Sequence, residues 1–247
     1  MPEAADPAPP PRPAATLLLL REPPLEVLML RRSGSGTFPS ALVFPGGAID
    51  PADAATARSD RVVASADLPI EERAARVAAV REAWEEAGVL VARTSEGRPA
   101  SADPGLRDAP FDTVLEQAGA VLHLADVVPV ARWITPVIEP RRFDTRFYVA
   151  AAPPDAEPSV DGREAVEAGW FEPGRLVEEG VEPLLFPTLS NLRRLAGSGS
   201  AEAAINAAAA HPPVTVTPEV EVRADGSRLI RIPGDAGYAI SEMTVPR

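Results

Sequence analysis

The fold is decided by the stretch REAWEEAGV, residues 81–89. Its three carboxylates, Glu82, Glu85 and Glu86, stand at positions i, i+3 and i+4, so on a helix they share one face. Gly88 ends that helix, because glycine readily adopts the left-handed conformation after a last turn. Clustered like charges repel one another unless a cation lies between them, and oxygen ligands without Cys or His suit Mg²⁺ or Mn²⁺. Taken alone, the stretch leaves two interpretations, a solvated acidic helix face and a divalent-metal site.

The residues upstream favour the metal site. Phe44-Pro45-Gly46-Gly47 follows an apolar run and predicts a strand that turns into a loop, whose glycines let the backbone approach a ligand closely. A Gly-Gly loop that feeds a helix with the pattern R-E-x-x-E-E-x-G-V resembles the Nudix box. Over roughly residues 14–197 the chain resembles the Nudix hydrolase superfamily. The resemblance implies an α+β fold, a Nudix α/β/α sandwich with a mixed sheet.

The resemblance also implies a chemistry. Such enzymes hydrolyse a pyrophosphate bond in a nucleoside diphosphate linked to another group, with Mg²⁺ or Mn²⁺ as the cofactor. By this correspondence the metal ligands are Glu82, Glu85, Glu86 and the carbonyl of Gly46, and Gly47 lies against the substrate. Bound ions neutralise charge that develops on the phosphorus oxygens and lower the pKa of an attacking water.

A carboxylate must take the proton of that water. In many members of the superfamily, a glutamate six residues before a Trp reaches the metal site from a loop. Glu164 stands six residues before Trp170 and is therefore the candidate base. Glu167 is the nearby alternative, and Glu82 is the alternative base if it is not a metal ligand. The alternative is that Glu164 is an ordinary solvated acid on a loop and has no catalytic role.

Arginine supplies every candidate cation. Arg81 stands four residues before Glu85 and can hold that carboxylate in place, so we assign it to the catalytic group. Arg32 precedes a Gly-Ser-Gly loop that can close over a ligand. The adjacent Arg141 and Arg142 can grip a pyrophosphate through forked, charge-assisted hydrogen bonds. The alternative for these two is a turn whose arginines pair with surface acids.

The box is interrupted. Gly47 and Arg81 lie 34 residues apart, far more than in the usual box, and we assign residues 50–69 as an insertion. The early acidic position of the box then has no single counterpart. Its candidates are Asp53, Glu71 and Glu72.

Two features narrow the resemblance to one branch. Insertion at this point, together with Arg-Arg-Phe-Asp-Thr at 141–145, is similar to the nineteenth-type mammalian Nudix branch, a peroxisomal coenzyme A diphosphatase, and its bacterial relatives. Coenzyme A or an acyl-coenzyme A is therefore an expected substrate. ADP-ribose, NADH and other dinucleotides share the same pyrophosphate core and stay open as alternatives.

Composition excludes several classes of function. The chain has no Cys, and its 24 basic residues are all Arg, so thiol and lysine catalysis are excluded. A net charge of −12 argues against broad nucleic-acid binding and makes RNA decapping a poor candidate. No apolar run approaches the length of a membrane helix, the N-terminus lacks the order of a signal peptide, and the final Val-Pro-Arg is not a peroxisomal address. A cytoplasmic bacterial enzyme is the expectation.

Along the chain we expect a disordered tail at 1–13, the Nudix domain at 14–198 and an extension at 199–247. The extension is expected to form a helix and a hairpin that pack on the core or on a second subunit. Packing on a second subunit would make the protein a homodimer. Within the domain, alternation and periodicity predict strands and helices. The strands are expected at 14–21, 26–32, 41–44 and 89–92, within 122–136 (Val-Val-Pro-Val-Ala-Arg-Trp-Ile-Thr-Pro), and at 143–151. The helices are expected at 70–87, 111–119, 173–180, 188–196 and 201–210.

A different class of function also fits. A degenerate Nudix module would bind a nucleotide without turning it over, and the uncertain early acidic residue keeps this interpretation open. The intact REAWEEAG stretch disfavours it. Both interpretations allow nucleotide binding, so only turnover separates them.

Overall fold

The computed structural model describes residues 9–34, 39–63, 67–160, 162–180 and 184–245, and every structural statement concerns these ranges. The strands are β1 (Arg12–Arg21), β2 (Glu26–Arg32), β3 (Leu42–Val43), β4 (Gly46–Ala48), β5 (Val62–Val63), β6 (Arg93–Thr94), β7 (Ala120–His123), β8 (Val128–Ile134), β9 (Phe143–Ala151), β10 (Ala165–Phe171), β11 (Thr215–Val216), β12 (Glu219–Val222), β13 (Arg228–Arg231) and β14 (Glu242–Val245). The helices are α1 (Pro51–Thr56), α2 (Ile70–Ala87), α3 (Phe111–Gln117), α4 (Pro173–Glu179), α5 (Phe186–Ala196) and α6 (Ala201–Ala210). Most of the expected tail and of the Gly-Ser-Gly loop lies outside the described residues.

One mixed sheet forms the centre of the domain. In the described part of the chain it has eight strands in the order β10-β2-β1-β9-β8-β11, with β3 beside β2 and β4 beside β1. Strand β1 runs parallel to β9 and antiparallel to β2 and β4. Helix α2 packs on one face, and α5 and α6 pack on the other. Helices on both faces of a mixed sheet confirm the predicted fold class.

Strand β1 shows why this sheet needs two layers of helices. Its four consecutive leucines, Leu17 to Leu20, are all at most 1% exposed. Because side chains alternate across a strand, Leu17 and Leu19 enter the core beneath α2, and Leu18 and Leu20 enter the core beneath α5 and α6. A continuous apolar run is typical of a strand that is buried on both faces.

Helix α2 has the predicted bounds, Ile70–Ala87. Its alanines and Trp84 are buried against the sheet. Gly88 follows in the left-handed conformation at φ 69° and donates its N–H to the carbonyl of Trp84 at 2.8 Å. This left-handed φ is the reason that the position favours glycine, and the flexible end of the Arg107 side chain lies where a β-carbon would stand.

The strand expected at 89–92 is wrong. Val89, Leu90 and Ala92 are buried, but this segment is not paired with the sheet. The amide of Val89 donates to Ala83 at the end of α2, and the amide of Ala92 donates to Leu90. Because these backbone groups are satisfied locally, the apolar side chains fill the core from a coil, and pairing begins only with β6.

The C-terminal residues pack on the core of the same chain. Strand β11 extends the main sheet beside β8, while β12, β13 and β14 form a separate antiparallel sheet, of which β14 was not expected. Tyr238 contacts Trp133 with ring centroids 5.3 Å apart and accepts a hydrogen bond from its indole N–H at 3.0 Å. Arg194 of α5 lies over the Tyr238 ring. A homodimer stays a prediction.

Across the described residues, no helix combines the length and the apolar character that a membrane crossing needs.

Tyr238→Phe should lower the free energy of unfolding by about 1–3 kcal/mol, because it leaves the buried indole N–H of Trp133 without an acceptor. Urea unfolding measures this change. Asp235→Asn, in the same loop and exposed, should stay within about 0.5 kcal/mol of the wild type. Equal stability of the two variants would show that the extension is not anchored through this bond.

Candidate functional site

The Gly46-Gly47 turn is an element of the sheet that lies against α2. Gly47 pairs with Ala15 of β1, and the flanking bonds Leu17 N–H to Pro45 and Ile49 N–H to Pro13 fix the ladder. Since hydrogen-bonded pairs alternate along such a ladder, Gly46 directs its own N–H and C=O away from β1. Its N–H donates instead to a carboxylate oxygen of Glu86 at 2.9 Å.

Close contacts surround both glycines, but only Gly46 meets main chain. A β-carbon on Gly46 would lie 2.6 Å from the carbonyl oxygen of Ala15 and 2.8 Å from the α-carbon of Thr16. A β-carbon on Gly47 would lie 2.6 Å from the carboxylate carbon of Glu82, at the flexible end of that side chain. The turn therefore brings main chain against β1 at Gly46 and against the Glu82 carboxylate at Gly47.

Arg81 is the hub of the acidic cluster. Its Nη1 donates to Glu82 at 2.9 Å and to Glu85 at 2.8 Å, and its Nη2 donates to the carbonyl of Ala48 at 2.9 Å. Its Nε and Nη2 also donate to the two oxygens of Asp53, at 2.8 and 3.0 Å. Burial opposes the charge of this guanidinium, but the Asp53 hydrogen bond and the neighbouring carboxylates raise its pKa, so Arg81 is a fixed cation.

Asp53 is the one of the three early-acid candidates that contacts Arg81. It is 1% exposed on α1, six residues after Gly47. Glu72 lies elsewhere on α2, where it accepts hydrogen bonds from Arg76 and from the Tyr148 hydroxyl. Glu71 is exposed. The residues that separate Asp53 from Arg81 include β5, which pairs with β7.

The carboxylates of α2 carry raised pKa values. Burial raises the pKa of Glu82 to about 7, against the opposing charge of Arg81. Burial also raises the pKa of Glu86 to about 8, against the hydrogen bond from Gly46, and the charges of Glu82 and Glu164 add to this rise. The pKa of Glu85 is raised as well, first by burial. Burial therefore disfavours the charged form of these carboxylates by more than Arg81 and the Gly46 N–H favour it.

Arg32 and Glu164 flank Glu86 from a neighbouring edge of the sheet. The charge of Arg32 lowers the pKa of Glu86, and the charge of Glu164 raises it, so both lie close to that carboxylate. The Nε of Arg32 is buried and has no hydrogen-bond partner among the described residues. The Glu164 carbonyl accepts from the Ser33 N–H at 2.9 Å, beside an irregularity in the pairing of β10. Glu167 pairs with Arg31 instead, at 3.2 Å.

The basic pair at 141–142 lies at the start of β9. Arg142 donates to the carbonyls of Thr135 at 3.1 Å and of Pro9 at 3.0 Å. Neither contact is to a surface acid. The guanidinium of Arg142 therefore contacts main chain at the start of β9. The structure brings together two arginines and five acids in one site: Arg32, Arg81, Asp53, Glu82, Glu85, Glu86 and Glu164.

The residues present fit a divalent cation by their chemistry. They offer hard oxygen donors on one helix face, and burial disfavours their charge unless a cation compensates it. Among the described residues, no three acidic or histidine side chains are arranged as a ready metal cage. The reason is visible in the contacts, because Glu82 and Glu85 turn to Arg81 and Glu86 turns to Gly46.

The sequence did not predict the Ala48 carbonyl as a partner of Arg81, because a backbone group gives no signal in a residue pattern. Asp53 was one of three open candidates for the early acidic position, and its contact with Arg81 distinguishes it from Glu71 and Glu72.

Comparison with known proteins identifies the family of the chain. The family model described as NUDIX domain matches residues 10–192. The chain belongs to the Nudix family. It is 30% identical to a NUDIX hydrolase from Alicyclobacillus acidocaldarius, whose crystal structure superposes with a TM-score of 0.72 over 82% of this chain and 99% of that one.

Two curated Nudix relatives are also similar. Putative nudix hydrolase 7 of Caenorhabditis elegans is 34% identical over 74% of this chain and 60% of the relative. Acyl-coenzyme A diphosphatase NUDT19 of Homo sapiens is 29% identical over 73% of this chain and 64% of the relative. The chain thus spans less than two thirds of the length of these relatives. Nudix hydrolases generally use divalent metal ions.

Gly46→Ala should destabilise the fold by about 1–3 kcal/mol, because its β-carbon meets main-chain atoms of β1 that cannot move aside. Gly47→Ala should cost less than about 1 kcal/mol, because it meets the flexible end of Glu82, which turns away. Denaturant unfolding of both variants measures the difference. A larger loss for Gly47→Ala than for Gly46→Ala would contradict the packing described for the turn.

Proposed function

We propose that this protein is a metal-dependent Nudix diphosphatase that hydrolyses a pyrophosphate bond in a nucleoside-diphosphate-linked substrate, with coenzyme A or acyl-coenzyme A as the preferred class. One observation carries the proposal. Three carboxylates share one face of α2 beside the Gly-Gly turn, and burial raises their pKa values, which supports a bound cation at this place.

Glu82, Glu85, Glu86 and the carbonyl of Gly46 are the proposed metal ligands. Bound Mg²⁺ or Mn²⁺ would neutralise charge on the phosphoryl oxygens and make a bound water more acidic. The residues of the chain position the carboxylates that would bind the metal. Arg81 holds the carboxylates of Glu82 and Glu85 on one side of the turn, and the Gly46 N–H holds that of Glu86.

Glu164 is the proposed acceptor for the proton of the attacking water, with Glu82 as the alternative. Its position supports this role, since it is exposed beside Glu86 and close enough to change that pKa. Arg32 is the proposed phosphate contact nearest the cluster, because its buried Nε lacks a partner. Gly47, Arg141 and Arg142 complete the proposed substrate-binding set.

The substrate class rests on the relatives. Proteins of Homo sapiens, Gallus gallus and Xenopus laevis that are 26–29% identical to this chain carry the name Acyl-coenzyme A diphosphatase NUDT19. Arginine donors beside the cluster suit a diphosphate.

A panel assay tests the proposal. Purified protein with Mg²⁺ or Mn²⁺ is offered coenzyme A, acetyl-coenzyme A, NADH, ADP-ribose and diadenosine polyphosphates, and the products are separated by chromatography. We expect coenzyme A to yield 4′-phosphopantetheine and adenosine 3′,5′-bisphosphate. Faster turnover of another compound would overturn the substrate class, and binding without any turnover would favour a degenerate nucleotide-binding module.

Glu85→Gln and Glu86→Gln should each lower kcat by about 100-fold or more, because each removes a proposed metal ligand. The metal-free variants should remain folded, since burial already disfavours the charge that the substitution removes. Differential scanning fluorimetry should show that Mg²⁺ raises the melting temperature of the wild type and not that of Glu86→Gln.

Glu96→Gln is the matched control for this experiment. Glu96 is exposed and pairs with Arg98 away from the site, so its loss should change neither kcat nor the response to Mg²⁺. Unchanged turnover in both Glu85→Gln and Glu86→Gln would remove the metal assignment.

A further inference from the structure

Four strands place their residues in one row across the sheet, starting at the candidate site. Gly47 of β4 pairs with Ala15 of β1, Ala15 with Arg146 of β9, and Arg146 with Arg132 of β8. Residues paired in register point to the same face of a sheet. Because a β-carbon on Gly47 would point at Glu82, the side chains of Arg146 and Arg132 emerge on the face that carries Glu82.

Arg146 is a half-buried cation whose side chain makes no hydrogen bond to the part of the chain that the structure describes. Its side chain is 25% exposed, and its nearest carboxylate oxygen, on Glu72, lies 3.9 Å away. That oxygen belongs to a carboxylate whose other oxygen already accepts from Arg76 and from the Tyr148 hydroxyl. A guanidinium offers five donors, so Arg146 retains its hydrogen-bonding capacity for another partner.

Arg132 lies directly opposite Arg146 on β8, and only part of its guanidinium is hydrogen-bonded to Asp144. Its Nε and Nη2 donate to the two oxygens of Asp144 at 2.8 and 2.6 Å, which leaves Nη1 free of that carboxylate. Like charges directly opposite on neighbouring strands are destabilising. Asp144 compensates the charge of Arg132, so the positive charge that an anionic ligand would meet first is that of Arg146.

We propose that Arg146, assisted by Arg132, forms a second anion subsite that binds a phosphomonoester of the substrate, separate from the diphosphate that is cleaved. The subsite deepens the proposed function and rests on it. Two strand spacings, about 10 Å, separate the backbone of Arg146 from that of Gly47, so one nucleotide-sized ligand can reach both. Paired guanidinium donors match the several acceptor oxygens of a terminal phosphate.

This subsite discriminates among substrates that share a diphosphate. Coenzyme A carries a 3′-phosphate on its ribose, whereas 3′-dephospho-coenzyme A, ADP-ribose and NADH carry none. A cation beyond the diphosphate site therefore favours the first compound through one additional contact. The pair coenzyme A and 3′-dephospho-coenzyme A isolates that contact, since the two compounds differ in nothing else.

Steady-state kinetics of Arg146→Gln on these two compounds tests the proposal. We expect kcat/KM for coenzyme A to fall about 10- to 100-fold, mainly through KM, and kcat/KM for 3′-dephospho-coenzyme A to change less than about threefold. Arg146→Lys should recover part of the loss because it keeps the charge. Equal losses on both compounds would overturn the subsite and leave the proposed diphosphatase standing.

Arg98→Gln is the control. Arg98 is 73% exposed and pairs with Glu96, so its substitution should leave both substrates unaffected. Thermal unfolding of Arg146→Gln confirms that the variant is folded before its kinetics are interpreted.

A binding measurement separates the subsite from turnover. Isothermal titration calorimetry compares adenosine 3′,5′-bisphosphate with adenosine 5′-monophosphate, and we expect the wild type to bind the bisphosphate about tenfold more tightly or better. Arg146→Gln should remove that preference. If the preference is present while no diphosphate is hydrolysed, the proposed function fails and the subsite stands. Equal affinity of the wild type for both compounds would overturn the subsite.

Discussion

A single guanidinium holds the candidate site together. Arg81 is 8% exposed and connects three elements. It contacts α1 through Asp53, the end of β4 through the Ala48 carbonyl, and the last turns of α2 through Glu85. Removing one partner of a buried ion pair costs about 3–5 kcal/mol, because the other charge is left without compensation. The side chain that orients the acidic cluster is therefore the one that fixes α1 against α2.

The charges around Arg81 do not balance. One guanidinium contacts Asp53, Glu82 and Glu85. Glu86 is partly buried nearby, where the Gly46 N–H and the charge of Arg32 favour its negative form. Burial is the main cause of the raised pKa values of Glu82, Glu85 and Glu86, and the positive charge nearby does not offset it. On the proposed function, a protein of net charge −12 would obtain the missing positive charge from a bound cation, and oxygen ligands without sulfur or imidazole suit Mg²⁺ or Mn²⁺.

Much of this arrangement could be predicted from the sequence, and the failures have identifiable causes. Helix α2 and its glycine stop were predictable because the apolar stripe, the acidic positions and Gly88 all indicate the same boundaries. The strand expected at 89–92 failed because apolar residues fill a core equally well from a coil once their amides are satisfied locally. The facing of Arg146 and Arg132 was not predictable, since register between strands depends on tertiary pairing.

The interruption of the Nudix box is tolerated because tertiary contacts, and not sequence spacing, join its two halves. Asp53 lies six residues after Gly47, and Arg81 reaches it from beyond the intervening segment with two hydrogen bonds. Each doubling of a loop costs only about 0.6 kcal/mol of closure entropy, which is less than a buried charged contact contributes. The segment also pairs β5 with β7 and so recovers part of that cost.

What the site cannot tolerate is a change in the register of β4 on β1. A slip of one residue would turn Gly47 away from Glu82 and would break the row that leads from the acidic cluster to Arg146.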